Sequence, residues 1–359
     1  MDREQQGNGA VQVSVELGAL TSVANDPQVA VRVGPVVASL VNGVCGDPLL
    51  QLRLLHQSRS LLFDLGDTGR MPLRSAHQVT DIFITHYHAD HIGGFMWFLR
   101  SRIGYFPPCR LFGPPGLMRH IAGMISGILW DRVEDRGPRF VVHECHGDHL
   151  KRWKITAGDT APMPLEDQAT PDGVLLREPD FQIRAAMLDH GTPVLAFAWE
   201  PFGKLQVRND QLQAEGLKPG AWLHDLKMAV LRQRPDELIS PDTGRTLRAE
   251  DLARKLLIQA PGEKVVYGTD FADTPENIRK MTELAEGAHT LFCEASFMAA
   301  DEAQARHTHH LTTRACARIA EAGQVRQLIA FHFSHRYDRR RNEVYRELKG
   351  FTDRLVIPD

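Results

Sequence analysis

The sequence predicts a mixed α/β protein built around large β-sheets, and three observations support this class. Over residues 11–66, β-rich runs separated by Gly, Pro and Asp recur at the short spacing of a β-meander. Beyond this region, apolar strands alternate with short polar loops and helices, as in α/β units. The composition, 43% hydrophobic and 24% charged over 359 residues, is globular and excludes a disordered or membrane-spanning chain.

The expected organisation is a short flexible tail, residues 1–10, followed by a single domain over residues 11–359. Two stretches are interpreted as insertions into this domain or as less regular segments: one at about 127–180, rich in Pro, Asp and Gly, and one at about 203–250, polar and interrupted by prolines. The N-terminus is polar, and the sequence has no uninterrupted run of about 18 apolar residues. We therefore expect a cytoplasmic protein with no membrane partner.

Several helices of the second half carry signals at their ends. Thr274 followed by Pro275 predicts a helix start, and that helix should end near Gly287. A second helix is expected from Thr312 or Thr313 to Gly323, and a basic helix from Asp338 to about Gly350.

Charge and cysteine content exclude some classes of function. The net charge is −3, so any nucleic-acid contact must come from a local basic patch. The five cysteines are scattered without a CxxC pair, which argues against a disulfide framework or a cysteine zinc site.

The most informative feature is the run His86-Tyr87-His88-Ala89-Asp90-His91, which follows the apolar segment DIFIT and Thr85. In an extended strand end, His86 and His88 point to the same side and can bind one cation. The chain then turns, so that Asp90 and His91 reach a second point nearby. Imidazole nitrogens and carboxylate oxygens are ligands of zinc and similar divalent ions, so the spacing favours a metal site over a solvated turn.

This run resembles the HxHxDH signature of the metallo-β-lactamase superfamily. Four further elements match in order: the FDLGD run at 63–67, Leu188-Asp189-His190-Gly191, Gly268-Thr269-Asp270, and His332. The resemblance implies a four-layer αββα sandwich with ligands just past the ends of strands. It further implies that two divalent ions, zinc in the first instance or manganese, are held by seven residues: His86, His88 and His190 on one ion, Asp90, His91 and His332 on the other, and Asp270 bridging.

Three segments narrow the resemblance to the ribonuclease Z family of tRNA 3′-end endonucleases. His332-Phe333-Ser334-His335-Arg336-Tyr337 is similar to the family's HFSxRY ending, Glu294-Ala295-Ser296-Phe297 to its EATF segment, and His310-Leu311-Thr312 to its histidine loop. The resemblance implies a dimeric, dinuclear phosphodiesterase acting on precursor tRNA. Asp90 would also accept a proton, His310 oriented by Glu294 would act on the leaving oxygen, and the substrate phosphate would contact Ser334, Arg336 and Thr312.

Two alternatives remain open at this stage. One is a phosphodiesterase of the same fold that acts on small cyclic nucleotides, and the other is a metal-binding protein without hydrolytic activity. The tRNA-gripping arm of the family has a possible counterpart in Gly216–Lys227, which keeps only part of the family's GPxxGxLK pattern. The segment His143–His149, HECHGDH, echoes the metal motif, but it is interpreted as a polar strand end.

Overall fold

The computed structural model describes residues 28–159, 161–232, 234–241, 244 and 246–358. Within these residues, two large sheets pack face to face and carry helices on both outer surfaces, which is the αββα arrangement. The predicted fold class is therefore confirmed. The expected tail at 1–10 and the first run of the expected meander, VQVSVEL at 11–17, lie outside the described residues.

The first sheet contains nine strands, each paired with its neighbour in sequence. The first four form the antiparallel meander that the sequence predicts, and the next three continue the sheet in parallel. The strands are β1 (Val29–Val33), β2 (Val36–Leu40), β3 (Leu50–Leu54), β4 (Ser60–Phe63), β5 (Val79–Phe83), β6 (Cys109–Gly113), β7 (Arg139–Cys145), β8 (His149–Thr156) and β9 (Met163–Ala169).

Helices of the first half cover the outer face of this sheet. They bury an apolar cluster that includes Phe95, Phe98 and Ile121 against the strands. The helices are α1 (Leu73–His77), α2 (Ala89–Ile92), α3 (Phe95–Ser101) and α4 (Leu117–Ser126). Short 3₁₀ turns occur at Glu134–Arg136, Pro171–Gly173, Ala299–Asp301 and His335–Tyr337.

The second sheet begins with three antiparallel strands, β10 (Val174–Arg177), β11 (Phe181–Asp189) and β12 (Pro193–Pro201). The stretch at about 127–180, expected to be less regular, thus forms β7–β10 in large part. Its polar composition has a physical reason, because β9 is an edge strand whose side chains are mostly exposed. Whether this stretch is an insertion into one domain stays a prediction.

The stretch at about 203–250 belongs to a small subdomain that projects from the second sheet between β12 and the next strand of that sheet. We call it the arm. It has its own apolar core, which includes Leu212, Trp222, Leu226, Leu252 and Leu256. Its elements are β13 (Lys204–Val207), α5 (Asn209–Ala214), α6 (Trp222–Leu231), β14 (Leu238–Ile239), β15 (Leu247–Arg248), α7 (Ala249–Leu256) and β16 (Leu257–Ala260).

The second sheet is completed by β17 (Val265–Gly268), β18 (Thr290–Glu294) and β19 (Gln327–Phe331). β18 pairs in parallel with both β17 and β19. Their buried, apolar sequences are those expected of strands covered on both faces. The covering helices are α8 (Pro275–Ala285), α9 (Glu302–Thr308), α10 (Thr313–Ala322) and α11 (Arg341–Phe351). No helix in the described parts of the chain is long and apolar enough to cross a membrane.

The predicted helix starts are confirmed where side chains cap them. The Thr274 hydroxyl accepts a hydrogen bond from the backbone N–H of Asn277, and the Thr312 hydroxyl accepts one from Ala315. The basic helix α11 begins three residues later than expected, because the residues after Ser334 first form a 3₁₀ turn.

An aromatic cluster between the sheets fixes the strand ends that carry the site. Phe63 at the end of β4 lies 5.1 Å from Phe83 at the end of β5, measured between ring centroids. Both rings contact Phe197 of the second sheet, and Phe63 lies 5.9 Å from Tyr267 near the end of β17. Because these rings are buried just below the strand ends, the loops that follow from both sheets meet at one edge.

Candidate metal centre and active site

All seven residues predicted as metal ligands converge at this edge. They form two groups that share Asp270: His86, His88, His190 and Asp270, and Asp90, His91, Asp270 and His332. Within each group, one candidate ligand atom per residue lies within 4.8 Å of the others. The strands β5, β11, β17 and β19 end immediately before or within these segments, as the sequence indicates.

The first group gathers three imidazoles around the Asp270 carboxylate. His86 Nε2 lies 2.8 Å from His88 Nδ1 and 3.9 Å from an Asp270 oxygen, and His190 Nε2 lies 3.7 Å from the same oxygen. The other nitrogens are occupied: His190 Nδ1 donates to the backbone carbonyl of His309 at 2.8 Å, and His86 Nδ1 lies 3.0 Å from the Thr85 hydroxyl. The Nε2 atoms of His86 and His190 therefore face the Asp270 carboxylate.

The second group is organised in the same way around His91. His91 Nδ1 donates to the buried carboxylate of Asp64 at 3.0 Å, which turns its Nε2 toward Asp90 and Asp270 at 3.3 Å each. His332 completes the group, with Nδ1 at 3.1 Å from Asp270 and Nε2 at 3.5 Å from Asp90.

The donor set fits divalent metal ions. His91 Nε2 is fully buried but makes no hydrogen bond within the described structure, which is costly unless the nitrogen meets a cation. Burial, and next the charge on His91, lower the pKa of His86 to about 2, whereas the charge on Asp270 helps to outweigh burial and raises the pKa of His91 and of His332. The structure thus presents a divalent metal site, whose individual ligand roles stay predictions.

Three of the seven described non-glycine residues with positive φ lie at this centre. Asp64, Asp270 and His332 adopt the left-handed region, with φ of 60°, 54° and 57°. This region costs roughly 1–2 kcal/mol for residues other than glycine, and such strain commonly accumulates at functional sites. Gly66 is needed for a related reason, because a Cβ there would lie 2.7 Å from the carbonyl oxygen of Asp90.

Beside the two groups, Glu294 and His310 form the pair that the sequence predicts. His310 Nδ1 donates to the buried Glu294 carboxylate at 2.9 Å, and the Ser296 hydroxyl donates to the same carboxylate oxygen at 2.7 Å. Burial lowers the pKa of His310, but the Glu294 carboxylate outweighs it and raises this pKa to about 9. His310 Nε2 is free of the Glu294 contact and available to a substrate.

A cavity of 420 Å³ opens directly onto this centre. It is lined by Cys45, Gly46, Asp47, Asp90, Ser296, Phe297, Thr308, His310, His332, Phe333, Ser334 and His335. His307 and His309, which adjoin His310 in sequence, are exposed and do not line it. Of these three histidines, His310 is therefore the one that faces the cavity.

The three predicted phosphate contacts differ in their surroundings. Ser334 lines the cavity, whereas Arg336 lies 3.2 Å from Asp301 and stacks over the Phe297 ring at 5.2 Å. Thr312 is buried, and its hydroxyl caps α10. Contact of these three residues with a substrate phosphate stays a prediction.

The segment HECHGDH lies apart from the centre, at the end of β7 and the start of β8. His143 is buried and stacks on Phe112 at 4.3 Å, and Glu144 accepts a hydrogen bond from the backbone N–H of Met118. None of its residues belongs to a potential ligand group among the described residues.

Sequence reasoning missed two residues of the site. Asp47 lines the cavity from the loop between β2 and β3, and the only signal it carries is its place in the turn-forming run Gly46-Asp47-Pro48. Ser296 was noted only as part of the Glu294 segment, yet its hydroxyl contacts Glu294 and the carbonyl oxygen of His332. Glu294 ends β18 and His332 follows the neighbouring strand β19, so these contacts of Ser296 can be seen only in the folded chain.

Comparisons with known proteins agree with this geometry. The model of the "Beta-lactamase superfamily domain" matches residues 240–333, and that of "Anti-Pycsar protein Apyc1" matches residues 50–123. Ribonuclease Z of Picosynechococcus sp. is 30% identical over 314 residues, covering 84% of this chain and 82% of the relative. Ribonuclease Z of Deinococcus radiodurans is 28% identical over 286 residues, covering 78% of this chain and 84% of the relative.

A solved structure supports the fold alone. The metallo-β-lactamase fold protein YhfI from Bacillus subtilis superposes with a TM-score of 0.52 at 14% identity, covering 90% of this chain and 95% of that one. Fold and site together define a metal-dependent hydrolase of the metallo-β-lactamase fold. Given the length and identity of the match to its relatives, the chain belongs to the ribonuclease Z family.

Proposed function

We propose that this protein is an endoribonuclease that cleaves precursor tRNA on its 3′ side, using two zinc ions. The observation that carries the proposal is the pair of ligand groups sharing Asp270, with His310 and Glu294 beside them, in a chain of the ribonuclease Z family. The proposal keeps manganese as the alternative metal. It also retains the predicted homodimer and the cytoplasmic location.

The proposed ligand roles follow the two groups. His86, His88 and His190 would hold one ion, Asp90, His91 and His332 would hold the other, and Asp270 would be shared between them. When bound, two such ions supply an activated nucleophile and charge stabilisation for in-line displacement at phosphorus. The chain itself supplies the orientation, through the hydrogen bonds that Asp64, Thr85 and the His309 carbonyl make to the ligand rings.

The proton transfers are assigned to two residues that line the cavity, Asp90 and His310. Asp90 would accept the proton of the attacking water, because its side chain is 41% exposed and lines the cavity. His310 donates a proton to the leaving oxygen from Nε2, since its Nδ1 is held by Glu294. Ser334, at the rim, is placed for a substrate phosphate.

The substrate class is supported by the family and by the arm. The relatives that match this chain over about four fifths of its length are ribonucleases Z. A phosphodiesterase for cyclic nucleotides would need the same metal edge but not a separately folded arm. The arm carries Lys218 and Lys227, cationic groups that an RNA backbone can pair with.

The test is cleavage of a precursor tRNA that carries a 3′ trailer, with the product ends mapped to the nucleotide. We expect one cut at the 3′ side of the tRNA body, lost on chelation and restored by zinc or manganese. Cyclic AMP and bis(p-nitrophenyl) phosphate are assayed alongside. Faster turnover of cyclic AMP, with no defined cut in the precursor, would refute the tRNA assignment and leave the phosphodiesterase chemistry standing.

A further inference from the structure

A single buried hydroxyl connects the two sheets beneath the metal centre. The phenol of Tyr267, on β17 of the second sheet, donates a hydrogen bond to Asp64 Oδ2 at 2.9 Å. Asp64 follows β4 of the first sheet, and the two residues are separated by 203 positions in sequence. Tyr267 is 1% exposed and Asp64 is 0% exposed, so no bulk water competes for this bond.

The same carboxylate holds the histidine loop. Asp64 Oδ1 accepts from the backbone N–H of Thr85 at 2.7 Å, and both carboxylate oxygens lie 3.0 Å from the Thr85 hydroxyl. Oδ2 accepts from His91 Nδ1 at 3.0 Å. Tyr267 and His91 therefore donate to one oxygen atom, and the position of that oxygen determines the orientation of the His91 ring.

Packing alone does not explain the hydroxyl. The Tyr267 ring lies 5.9 Å from Phe63 and stacks on Phe331 at 5.3 Å, contacts that phenylalanine would make equally well. Burying a hydroxyl is unfavourable unless it is hydrogen-bonded, and here its partner is Asp64. Tyr267 also lies three residues before Asp270, so one strand end carries both this donor and the carboxylate common to the two groups.

We propose that the Tyr267 hydroxyl is a positioning group for His91 and sets the metal affinity of the site formed by Asp90, His91 and His332. Acting through Asp64, it keeps the His91 Nδ1–H donated to the carboxylate and Nε2 directed at the centre. The direct partner of a ligand histidine, here Asp64, typically changes metal affinity by about 10–100-fold, and Tyr267 acts one hydrogen bond further away. The inference rests on the ligand roles of the proposed function, but not on the RNA substrate.

The test is Tyr267→Phe, which removes one oxygen atom and keeps the ring. The two stepwise affinities of metal-free protein for zinc are measured by competition with a chromophoric chelator, and the step that belongs to His91 is identified with His91→Ala. We expect Tyr267→Phe to weaken that step by about 3–10-fold, less than loss of the direct partner Asp64 would, and to leave the other step within about twofold. Turnover is not needed for this readout.

The matched control is Tyr337→Phe. Tyr337 is also buried and also donates to a carboxylate, that of Asp301, but it does not contact Asp64. We expect this variant to lose some stability to urea and to keep both zinc affinities. An equal fall in affinity in both variants, or unchanged affinities in Tyr267→Phe, would overturn the inference.

A second variant tests whether Tyr267 acts through Asp64. In Asp64→Asn, the His91 step should weaken, and adding Tyr267→Phe should weaken it little further, since the path through Asp64 is already broken. Additive losses in the double variant would contradict the positioning role. If the wild-type protein binds two zinc ions with Tyr267 coupled to one step but cuts no precursor tRNA, only the proposed substrate fails.

Discussion

His310 Nδ1 donates a hydrogen bond to Glu294 Oε2 at 2.9 Å, although the two residues are 16 positions apart in sequence. Glu294 is fully buried, and its other oxygen accepts from the backbone N–H of Phe271, next to Asp270. The carboxylate is thus fixed at both ends, and the His310 ring is held beside the two ligand groups without being needed to complete either. His310 also belongs to a third potential ligand group, with Asp270, Glu294 and His332, so its role in proton transfer rather than metal binding is a prediction.

His310→Ala should therefore lower the turnover of precursor tRNA by about 10²–10⁴, the range expected for loss of a general acid. Metal content should stay near that of the wild type, as measured by elemental analysis of the same preparation. His307→Ala is the matched control, because His307 is exposed on α9 and lies outside the cavity. Loss of metal in His310→Ala, or an equal loss of turnover in the control, would show that the role is misassigned.

His88→Ala should remove at least one metal ion and abolish hydrolysis. Seven ligand positions exceed what one tetrahedral ion uses, so wild-type protein should contain two ions per chain. His88 is the exposed member of the first group, so its loss opens little space in the core. Elemental analysis that finds one ion or none in active wild-type protein would contradict the dinuclear assignment.

Elements and site residues could be predicted from the sequence where the pattern that indicates them lies within one short segment. The loop His86–His91 follows its strand directly, so spacing alone indicated two ligand points, and the strands before Asp270, Glu294 and His332 were visible as apolar runs. Asp47 and Tyr267 were not predictable in this way. Their contacts join segments far apart in sequence, and each residue type has many ordinary roles in turns and cores.

The arm shows the same limit at a larger scale. Both the stretch at 203–250 and the stretch at 127–180 were predicted to be insertions or less regular segments, and both insertion assignments stay predictions; the first forms a subdomain with its own apolar core, and the second forms strands of the first and second sheets. Composition does not distinguish the two cases, since exposed edge strands and surface insertions both carry polar residues. The difference lies in which apolar residues each segment buries, and that is a property of the folded chain.

His309→Gly should raise the free energy of unfolding by about 1 kcal/mol, because His309 ends α9 in the left-handed region at φ 57°. The backbone carbonyl that orients His190 is kept in this variant. Urea denaturation of metal-free protein is the measurement. The matched change His307→Gly, inside α9, should instead destabilise by about 1 kcal/mol. Destabilisation by both changes would contradict the strain argument.

Glu178→Gln should make stability less sensitive to acid. Burial raises the pKa of Glu178, but hydrogen bonds from Arg59 and Arg110 outweigh it and lower this pKa. A carboxylate with a lowered folded pKa stabilises the protein above its unfolded pKa, and this contribution is lost as the pH falls below about 5. The variant should thus lose less unfolding free energy than the wild type between pH 7 and pH 4. Glu166→Gln, exposed on β9, is the control and should behave as the wild type.

The last prediction distinguishes the function of the arm from that of the metal centre. Lys204 of β13 pairs with Ala260 of β16, so the two ends of the arm are adjacent and a short Gly-Ser link can replace the residues between them. This deletion should cripple cleavage of precursor tRNA and spare hydrolysis of bis(p-nitrophenyl) phosphate, because the ligand groups are built on other elements.

Salt dependence gives the deletion an independent readout. Suppose that Lys218 and Lys227 each pair with a phosphate. The variant Lys218→Glu/Lys227→Glu in the intact arm should then reduce the slope of log binding constant against log salt concentration by about 2. Its activity on bis(p-nitrophenyl) phosphate should be unchanged. Equal losses on both substrates after deletion, with the fold intact by circular dichroism, would count against RNA binding by the arm. A cyclic-nucleotide enzyme would show that outcome, because a small substrate occupies only the cavity at Asp90 and His310 and releases few counterions.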